Sequence, residues 1–113
     1  MFTIRAEEGR DYLPIRNVNL RAFPTLLEAD MIDRLRKADG VVLSLVALEH
    51  GLVAGHILFT PAEIAGDGRV YEAVALGPVA VLPTHQRRGF GSALVREGLQ
   101  RLRLAGHRIV VVL

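Results

Sequence analysis

The chain has 113 residues, of which 50% are hydrophobic and 23% charged, a length that predicts one domain and a balance that excludes a disordered chain. It contains no cysteine, which excludes disulfide scaffolds, thiolate metal sites and cysteine nucleophiles, and its apolar stretches are far shorter than the roughly 20 residues that cross a bilayer. Residues 1–84 hold eight Lys and Arg against eleven Asp and Glu, whereas residues 85–113 hold six Arg against one Glu. Because the N-terminus shows no signal peptide pattern, we expect a cytoplasmic protein without a membrane partner.

The N-terminal part of the sequence predicts one strand and then two helices. Residues 2–5 are a short strand candidate, and residues 11–23 show apolar residues at helical spacing. Thr25-Leu-Leu-Glu28 has the form of a capping box, which predicts that the Thr25 hydroxyl binds the third amide of the second helix. Gly40 stands where a left-handed residue is expected to end that helix.

The middle of the sequence predicts antiparallel strands. Two apolar runs, residues 41–48 and 52–59, flank the turn Glu49-His50-Gly51, a spacing typical of a hairpin. Residues 61–69 are predicted to form a loop before the next strand. Gly77-Pro78 then interrupts an apolar run, and because proline has no N–H for a sheet ladder, a bulge or a bend is predicted there.

The C-terminal part predicts a helix between two strands. The helix runs from about Gly89 to Ala105 and has one apolar face and one face rich in arginine, and residues 109–113 form a last apolar strand. A long helix between two strands predicts a parallel crossover. The order β-α-α-β-β-β-α-β therefore predicts an α+β fold with three α/β/α layers and a mixed, mostly antiparallel sheet.

The segment from Val79 to Ser92 is the part of the sequence most indicative of chemistry. A strand ends, a loop with Arg87 and Arg88 follows, and a helix begins at Gly89 and Gly91. The first turn of a helix leaves amides unpaired and carries a partial positive charge. Because glycines let a phosphate approach the backbone closely, the segment predicts an anion site suited to a pyrophosphate.

Other phosphate and nucleic-acid motifs do not match this segment. A P-loop string is missing, and a dinucleotide fingerprint would need a small residue in place of Leu94. An RNA-binding motif fits Arg88-Gly-Phe-Gly91 and then fails at Ser92, so no nucleic-acid partner is expected. The alternatives to an anion site are a plain strand-to-helix turn and a solvated arginine face.

The full pattern Val79-Ala-Val-Leu-Pro-x-x-Gln86-Arg-Arg-Gly89-Phe-Gly91 resembles motif A of the GNAT superfamily of acetyl-CoA-dependent N-acetyltransferases, in particular its small bacterial members. The element order fits as well, so the resemblance covers residues 1–113 as a single domain. It implies that acetyl-CoA is the co-substrate and that a primary amine of a small molecule or peptide attacks it directly. The alternative function is a non-catalytic acyl-CoA-binding module.

The resemblance also implies which residues bind acetyl-CoA. The backbone of residues 79–81 would pair with the pantetheine arm, and the amides of residues 87–92 would surround the pyrophosphate. The implied binding set is Val79, Ala80, Val81, Gln86, Arg87, Arg88, Gly89, Phe90, Gly91 and Ser92. No metal site is expected.

The candidates for the general base that takes the proton of the amine are Glu72, Glu63, His56 and His85. Glu72 is chosen as the catalytic residue, because family members often place a carboxylate on the strand that leads to the cofactor; its alternative is an exposed strand residue. His56 lies in an apolar strand and is expected to be a core histidine. Glu63 falls in the predicted 61–69 loop, and His85 in the phosphate loop.

The sequence stops at Leu113, where the family usually adds a helix and two strands. In the family, a tyrosine in those added elements often acts as the general acid toward the leaving thiolate. This sequence has no counterpart of it, since Tyr12 and Tyr71 lie in other parts of the chain. Either the chain is part of a longer protein or a partner completes the sheet. An apolar strand without a neighbour exposes an edge, so either copies of the chain are expected to associate through residues 109–113 or the chain alone is expected to be only marginally stable.

Overall fold

The computed structural model describes residues 1–112 and has the predicted order of elements; Leu113, predicted to end the last strand, lies outside the described residues. The strands and helices are β1 (Thr3–Ala6), α1 (Tyr12–Ala22), α2 (Leu27–Lys37), β2 (Leu43–Glu49), β3 (Leu52–Gly66), β4 (Arg69–Val81), α3 (Phe90–Leu104) and β5 (Val110–Val112). Short 3₁₀ turns lie at Gly9–Asp11 and Pro83–His85. Within the described residues, no helix has the length and apolar character that crossing a membrane requires.

The five strands form one sheet in the order β1-β2-β3-β4-β5. The first four are antiparallel neighbours, and β5 is parallel to β4, as the crossover predicted. Helices cover both faces, because Asn19 of α1 contacts the ring of His56 while Gly98 of α3 packs against Phe59. His56 and Phe59 are three residues apart on β3 and so point to opposite faces. The three-layer α+β fold is confirmed.

The prediction of a loop over residues 61–69 is wrong, because β3 and β4 extend as a paired ribbon up to a two-residue turn. Asp67 and Gly68 have φ values of 52° and 72°, which suits the tight turn of a hairpin. Pro61 is opposite Val74, whose N–H donates to the carbonyl of Ile109 on the β5 side at 2.9 Å. Pro61 therefore occupies a position where its missing N–H removes no bond between β3 and β4.

Both ends of α2 differ from their predictions. The Thr25 hydroxyl accepts a bond from the amide of Leu27 at 3.3 Å and donates to the Glu28 carboxylate at 3.1 Å, and the cap position is Leu26, so the predicted capping box does not form. At the other end, Asp39 has the left-handed φ of 56°, whereas Gly40 does not. The amide of Gly40 donates to the carbonyl of Leu35 at 2.8 Å, which completes the helix end one residue earlier than predicted.

Candidate active site

The end of β4 is displaced from its first part by the predicted bulge. Ile57 pairs with Val79 and Phe59 with Leu76, so Gly77 and Pro78 together face one residue of β3. Before the bulge, Val74–Leu76 pair with β5 on one side and β3 on the other. After it, residues 79–81 pair with β3, and within the described residues no strand pairs with their other edge.

The register decides which backbone groups face that open edge. The N–H of Leu82 donates to the carbonyl of Ala54 at 2.8 Å, which makes these two residues a hydrogen-bonded pair. Pairs of this type alternate along antiparallel strands, so Ala80 also exchanges its backbone bonds with His56. The N–H and C=O groups of Val79 and Val81 point the other way, to the open edge. Of the three predicted pantetheine-binding residues, these two are the ones that present backbone groups there.

The loop after β4 brings a row of amides to the start of α3. Arg87 and Gly89 have left-handed φ values of 63° and 86°. Ala93 makes the first bond of the helix, to the carbonyl of Gly89 at 3.0 Å, so the amides of residues 90–92 have no acceptor within the helix. These residues line a cleft of about 240 Å³ together with Val81 and Gln86.

Two side chains of the predicted binding set serve the protein itself. The Gln86 side-chain amide donates to the carbonyl of Val81 at 3.1 Å, which ties the loop to the end of β4. The Phe90 ring is buried and stacks on Phe2 with their centroids 4.0 Å apart. Phe90 can therefore offer a ligand its backbone amide, while its ring anchors the helix start to the N-terminal strand.

The two arginines of the loop have different surroundings. The guanidinium of Arg88 makes a two-pronged ion pair with Glu49, with one N···O distance of 3.1 Å. This hydrogen bond holds the pKa of Glu49 below its usual value and raises the pKa of Arg88. Arg87 is exposed, and within residues 1–112 no carboxylate lies in ion-pair distance of it. No sequence pattern connects Glu49 with this loop, because it lies 39 residues before Arg88.

The structure places Glu72 and Glu63 directly opposite each other on the exposed β3–β4 ribbon. They line a second cleft, of about 740 Å³, with the connection between α3 and β5, residues 106–109. Glu72 lies four residues before Leu76, the last residue before the bulge. This separation is about 13 Å along the strand. Both glutamates therefore lie at the other end of β4 from the first turn of α3.

The remaining two base candidates are engaged in hydrogen bonds. His56 is fully buried, and its Nε2 lies 2.9 Å from the Ser44 hydroxyl while its Nδ1 lies 3.3 Å from the Asn19 amide nitrogen. Burial lowers the pKa of His56 to about 4. The expectation of a core histidine is confirmed. His85 is half-buried, with its Nδ1 2.8 Å from the Thr84 hydroxyl and its Nε2 3.4 Å from Glu49.

Comparison with known proteins agrees with this arrangement of strand, loop and helix. A family model described as an acetyltransferase (GNAT) domain matches residues 7–113. The chain belongs to the GNAT acetyltransferase family. The GNAT chain is 39% identical to YjhQ, an uncharacterised N-acetyltransferase of Escherichia coli K12, over 99% of its own length and 63% of that of YjhQ. It thus spans less than two thirds of this relative.

Two solved GNAT structures share the fold closely. A GNAT family acetyltransferase from Brucella melitensis, in complex with acetyl-CoA, is 42% identical and superimposes with a TM-score of 0.90 over 100% of this chain and 75% of its own. YhbS of Escherichia coli, in complex with CoA, is 32% identical with a TM-score of 0.92 over 99% of this chain and 62% of its own. The family membership and the fold that the resemblance implied are both confirmed.

Proposed function

We propose that this GNAT chain binds acetyl-CoA between the end of β4 and the first turn of α3, and that the protein transfers the acetyl group to a primary amine of a small molecule or peptide. The observation that carries the proposal is the row of unpaired amides at residues 90–92 beside the open backbone edge of Val79 and Val81. The acetyl-CoA and CoA held by the Brucella and Escherichia coli relatives support it. One domain over residues 1–113 and a cytoplasmic location are part of the same proposal.

The residues present fit the parts of acetyl-CoA. The backbone N–H and C=O of Val79 and the N–H of Val81 suit the amides of the pantetheine arm, in the manner of an added strand, while the Val81 carbonyl already accepts from Gln86. The amides of residues 90–92, with the positive end of α3, suit the pyrophosphate. A Cβ atom on Gly91 would lie 3.9 Å from both valine side chains, so this glycine leaves the narrow space between strand and helix open.

Acetyl-CoA supplies the activated acetyl group when it is bound. The acceptor amine forms the new N–C bond as the C–S bond breaks, and the thiolate leaves. An N–H of β4 at the open edge donates a hydrogen bond to the carbonyl oxygen, which gains negative charge. Glu72 is the proposed acceptor of the amine proton, because it lies on the strand that leads to the open edge and lines the larger cleft, where an amine could enter.

The alternative is a non-catalytic module that binds acyl-CoA. One observation favours it: Glu72 and Glu63 lie at the far end of β4 from the first turn of α3, on the exposed ribbon. Tyr12 and Tyr71, on α1 and on the ribbon, are half-exposed and lie outside the residues that line the α3 cleft.

Calorimetric titration with acetyl-CoA tests the binding, and a panel of amines with detection of the released thiol tests the transfer. Binding together with thiol release on at least one amine supports the acetyltransferase. Binding without release on any amine supports the alternative module. An absence of acetyl-CoA binding by the folded chain would overturn both.

A further inference from the structure

Glu49 lies beside the phosphate loop although it belongs to another strand. It is the last residue of β2, and the end of β2, the start of β3 and the end of β4 lie at the same end of the sheet. Only 10% of its side chain is exposed. Its carboxylate contacts both terminal nitrogens of Arg88, lies 3.4 Å from Nε2 of His85 and lies 4.0 Å from the N-terminal amine. One carboxylate thus joins two positions of the loop to the N-terminus.

Arg88 is held from a second side by aromatic rings. Its guanidinium carbon lies 5.3 Å from the ring centroid of Phe90, within the range of a cation–π contact, and that ring stacks on Phe2. His85 meets the same ring edge-on with centroids 5.6 Å apart. Arg88 and His85 are therefore fixed against the body of the protein, while Arg87, which lies between them in the chain and has a left-handed φ, is exposed.

We infer that Glu49 is a positioning residue of the proposed pyrophosphate site: it holds Arg88 and His85 so that the amides of residues 90–92 face the cleft, and it leaves Arg87 as the arginine that meets the anion. The inference rests on the proposed function. The sequence predicted that both arginines bind the pyrophosphate. The inference gives this contact to Arg87 and a structural role to Arg88.

The chemistry of the ion pair supports this division. A two-pronged arginine–carboxylate pair is among the stronger and more directional contacts in proteins, so an anion that recruited Arg88 would have to displace Glu49. Glu49 is itself negative and stands near the loop that would receive a pyrophosphate. Arg88 neutralises it there, which is a second reason why Arg88 helps binding without contacting the ligand.

A double-mutant cycle on CoA affinity, measured by calorimetry, tests the inference. Glu49→Gln is expected to weaken binding about tenfold through loss of the paired geometry, and Arg88→Ala to weaken it further because it also leaves the Glu49 carboxylate without its arginine beside the bound anion. The double variant is expected to bind no worse than Arg88→Ala. Arg87→Ala is expected to weaken binding additively with Glu49→Gln, and less at high salt, since screening reduces exposed contacts.

The competing role for Arg88 gives the opposite result. If Arg88 binds the phosphate directly, Glu49→Gln releases it and removes a negative charge, and the affinity for CoA stays equal or rises. Either outcome in the folded variant overturns the inference. Wild-type chain that binds no CoA would instead overturn the proposed function.

Two controls separate positioning from a loss of fold. S-Acetylpantetheine lacks the pyrophosphate, so wild type and Glu49→Gln are expected to bind it equally in NMR titrations, whereas a partly unfolded variant would lose both ligands. Glu97→Gln removes a different ion pair, a single contact with Arg101 at 2.8 Å within α3, and is expected to leave CoA affinity unchanged. Equal losses of CoA and S-acetylpantetheine binding in Glu49→Gln would contradict a positioning role.

Discussion

At the scale of single residues, the chain buries a polar row between the sheet and the helices. The Ser44 hydroxyl donates to Glu7 at 2.5 Å and so accepts from Nε2 of His56, while Nδ1 of His56 accepts from Asn19. Burial pulls the pKa of Glu7 upward, but hydrogen bonds from Arg36 and Ser44 outweigh it and leave the pKa lowered. The row therefore holds a neutral histidine and an ionised glutamate.

This row predicts acid sensitivity. The pKa of His56 is about 4 in the folded protein and 6.5 for an unperturbed histidine, so between those pH values the unfolded chain binds a proton that the folded chain does not. Stability should fall as the pH is lowered from 6.5 towards 4, by about 3 kcal/mol at most. Urea denaturation of His56→Gln at several pH values from 7 to 4.5 should show a flatter dependence. His107→Gln, at an exposed position, should keep the wild-type slope; parallel curves for wild type and His56→Gln would contradict the prediction.

Glu72 and Glu63 offer a matched pair for testing the proposed base. They face each other across the ribbon and share its exposure, so removing either charge should perturb the fold equally. With an amine that supports turnover, Glu72→Gln should lower kcat by about 10²-fold, a typical general-base contribution, and leave CoA affinity unchanged. Glu63→Gln should keep kcat within a few-fold of wild type. Equal effects of the two variants on thiol release would remove Glu72 from the mechanism.

At the scale of elements, α3 joins the core to the site. Its middle packs closely on the sheet: Gly98 is buried, and an added Cβ there would overlap the ring of Phe59. Its start and end are both marked by left-handed glycines, Gly89 with φ 86° and Gly106 with φ 95°. Close packing thus fixes where the helix lies, and Gly89 sets the direction of its first amides.

The packing of α3 predicts opposite outcomes for the same substitution at two of its glycines. Gly98→Ala should destabilise the chain by about 1–3 kcal/mol, because overpacking outweighs the gain in helix propensity. Gly91→Ala places its Cβ in ordinary contact, 3.9 Å from Val79 and Val81, and should be at least as stable as wild type. Denaturant unfolding of both variants checks this, and equal stabilities would show that Phe59 moves aside easily.

Substitutions at the two left-handed glycines distinguish the effect of backbone strain on stability from an effect on ligand binding. Gly89→Ala and Gly106→Ala meet open space but require an unfavourable φ, so each should lose about 1–2 kcal/mol of stability. Only Gly89→Ala should also weaken acetyl-CoA binding, by about tenfold or more, because it lies at the turn that aims the amides. Unfolding curves and calorimetry on the same samples measure both effects. Unchanged acetyl-CoA affinity in Gly89→Ala would count against the proposed site.

At the scale of the whole molecule, the two edge strands of the sheet differ in amino-acid composition. β1 forms one edge and carries Arg5, whereas β5 forms the other and is Val-Val-Val. Val112 is 73% exposed, and within residues 1–112 no strand pairs with the outer side of β5. An apolar strand edge of this kind tends to pair with another strand.

The exposed β5 edge predicts self-association of the 113-residue chain. Light scattering at about tens of micromolar should show species heavier than a monomer, because unpaired strand groups and apolar surface favour edge pairing. Val112→Lys should shift the population to monomer, since a charged edge residue opposes such pairing. Thr3→Lys on the opposite edge should not. A stable, strictly monomeric wild-type chain would show that the edge does not associate.

The order of the elements, the bulge and the loop and helix start of the candidate anion site could all be predicted from the sequence. These features depend on local chemistry: proline without an N–H at Pro78, glycine at the left-handed Gly89, and apolar periodicity along α3. Where two neighbouring residues could both adopt the required conformation, the prediction named the wrong one. At the end of α2, Asp39 rather than the predicted Gly40 is left-handed. Pro61, within the predicted loop, lies in β3 instead, because a non-bonded position in a strand accepts proline.

Which groups meet at the site depends on how the strands and helices pack. Strand register turns the backbone of Val79 and Val81 outward and that of Ala80 toward β3, and a register depends on the partner strand rather than on the residues themselves. The ion pair of Glu49 with Arg88 spans 39 residues and exists because β2 and β4 end at the same end of the sheet. Local patterns specify the elements and their turns, whereas contacts between distant residues follow from how those elements pack.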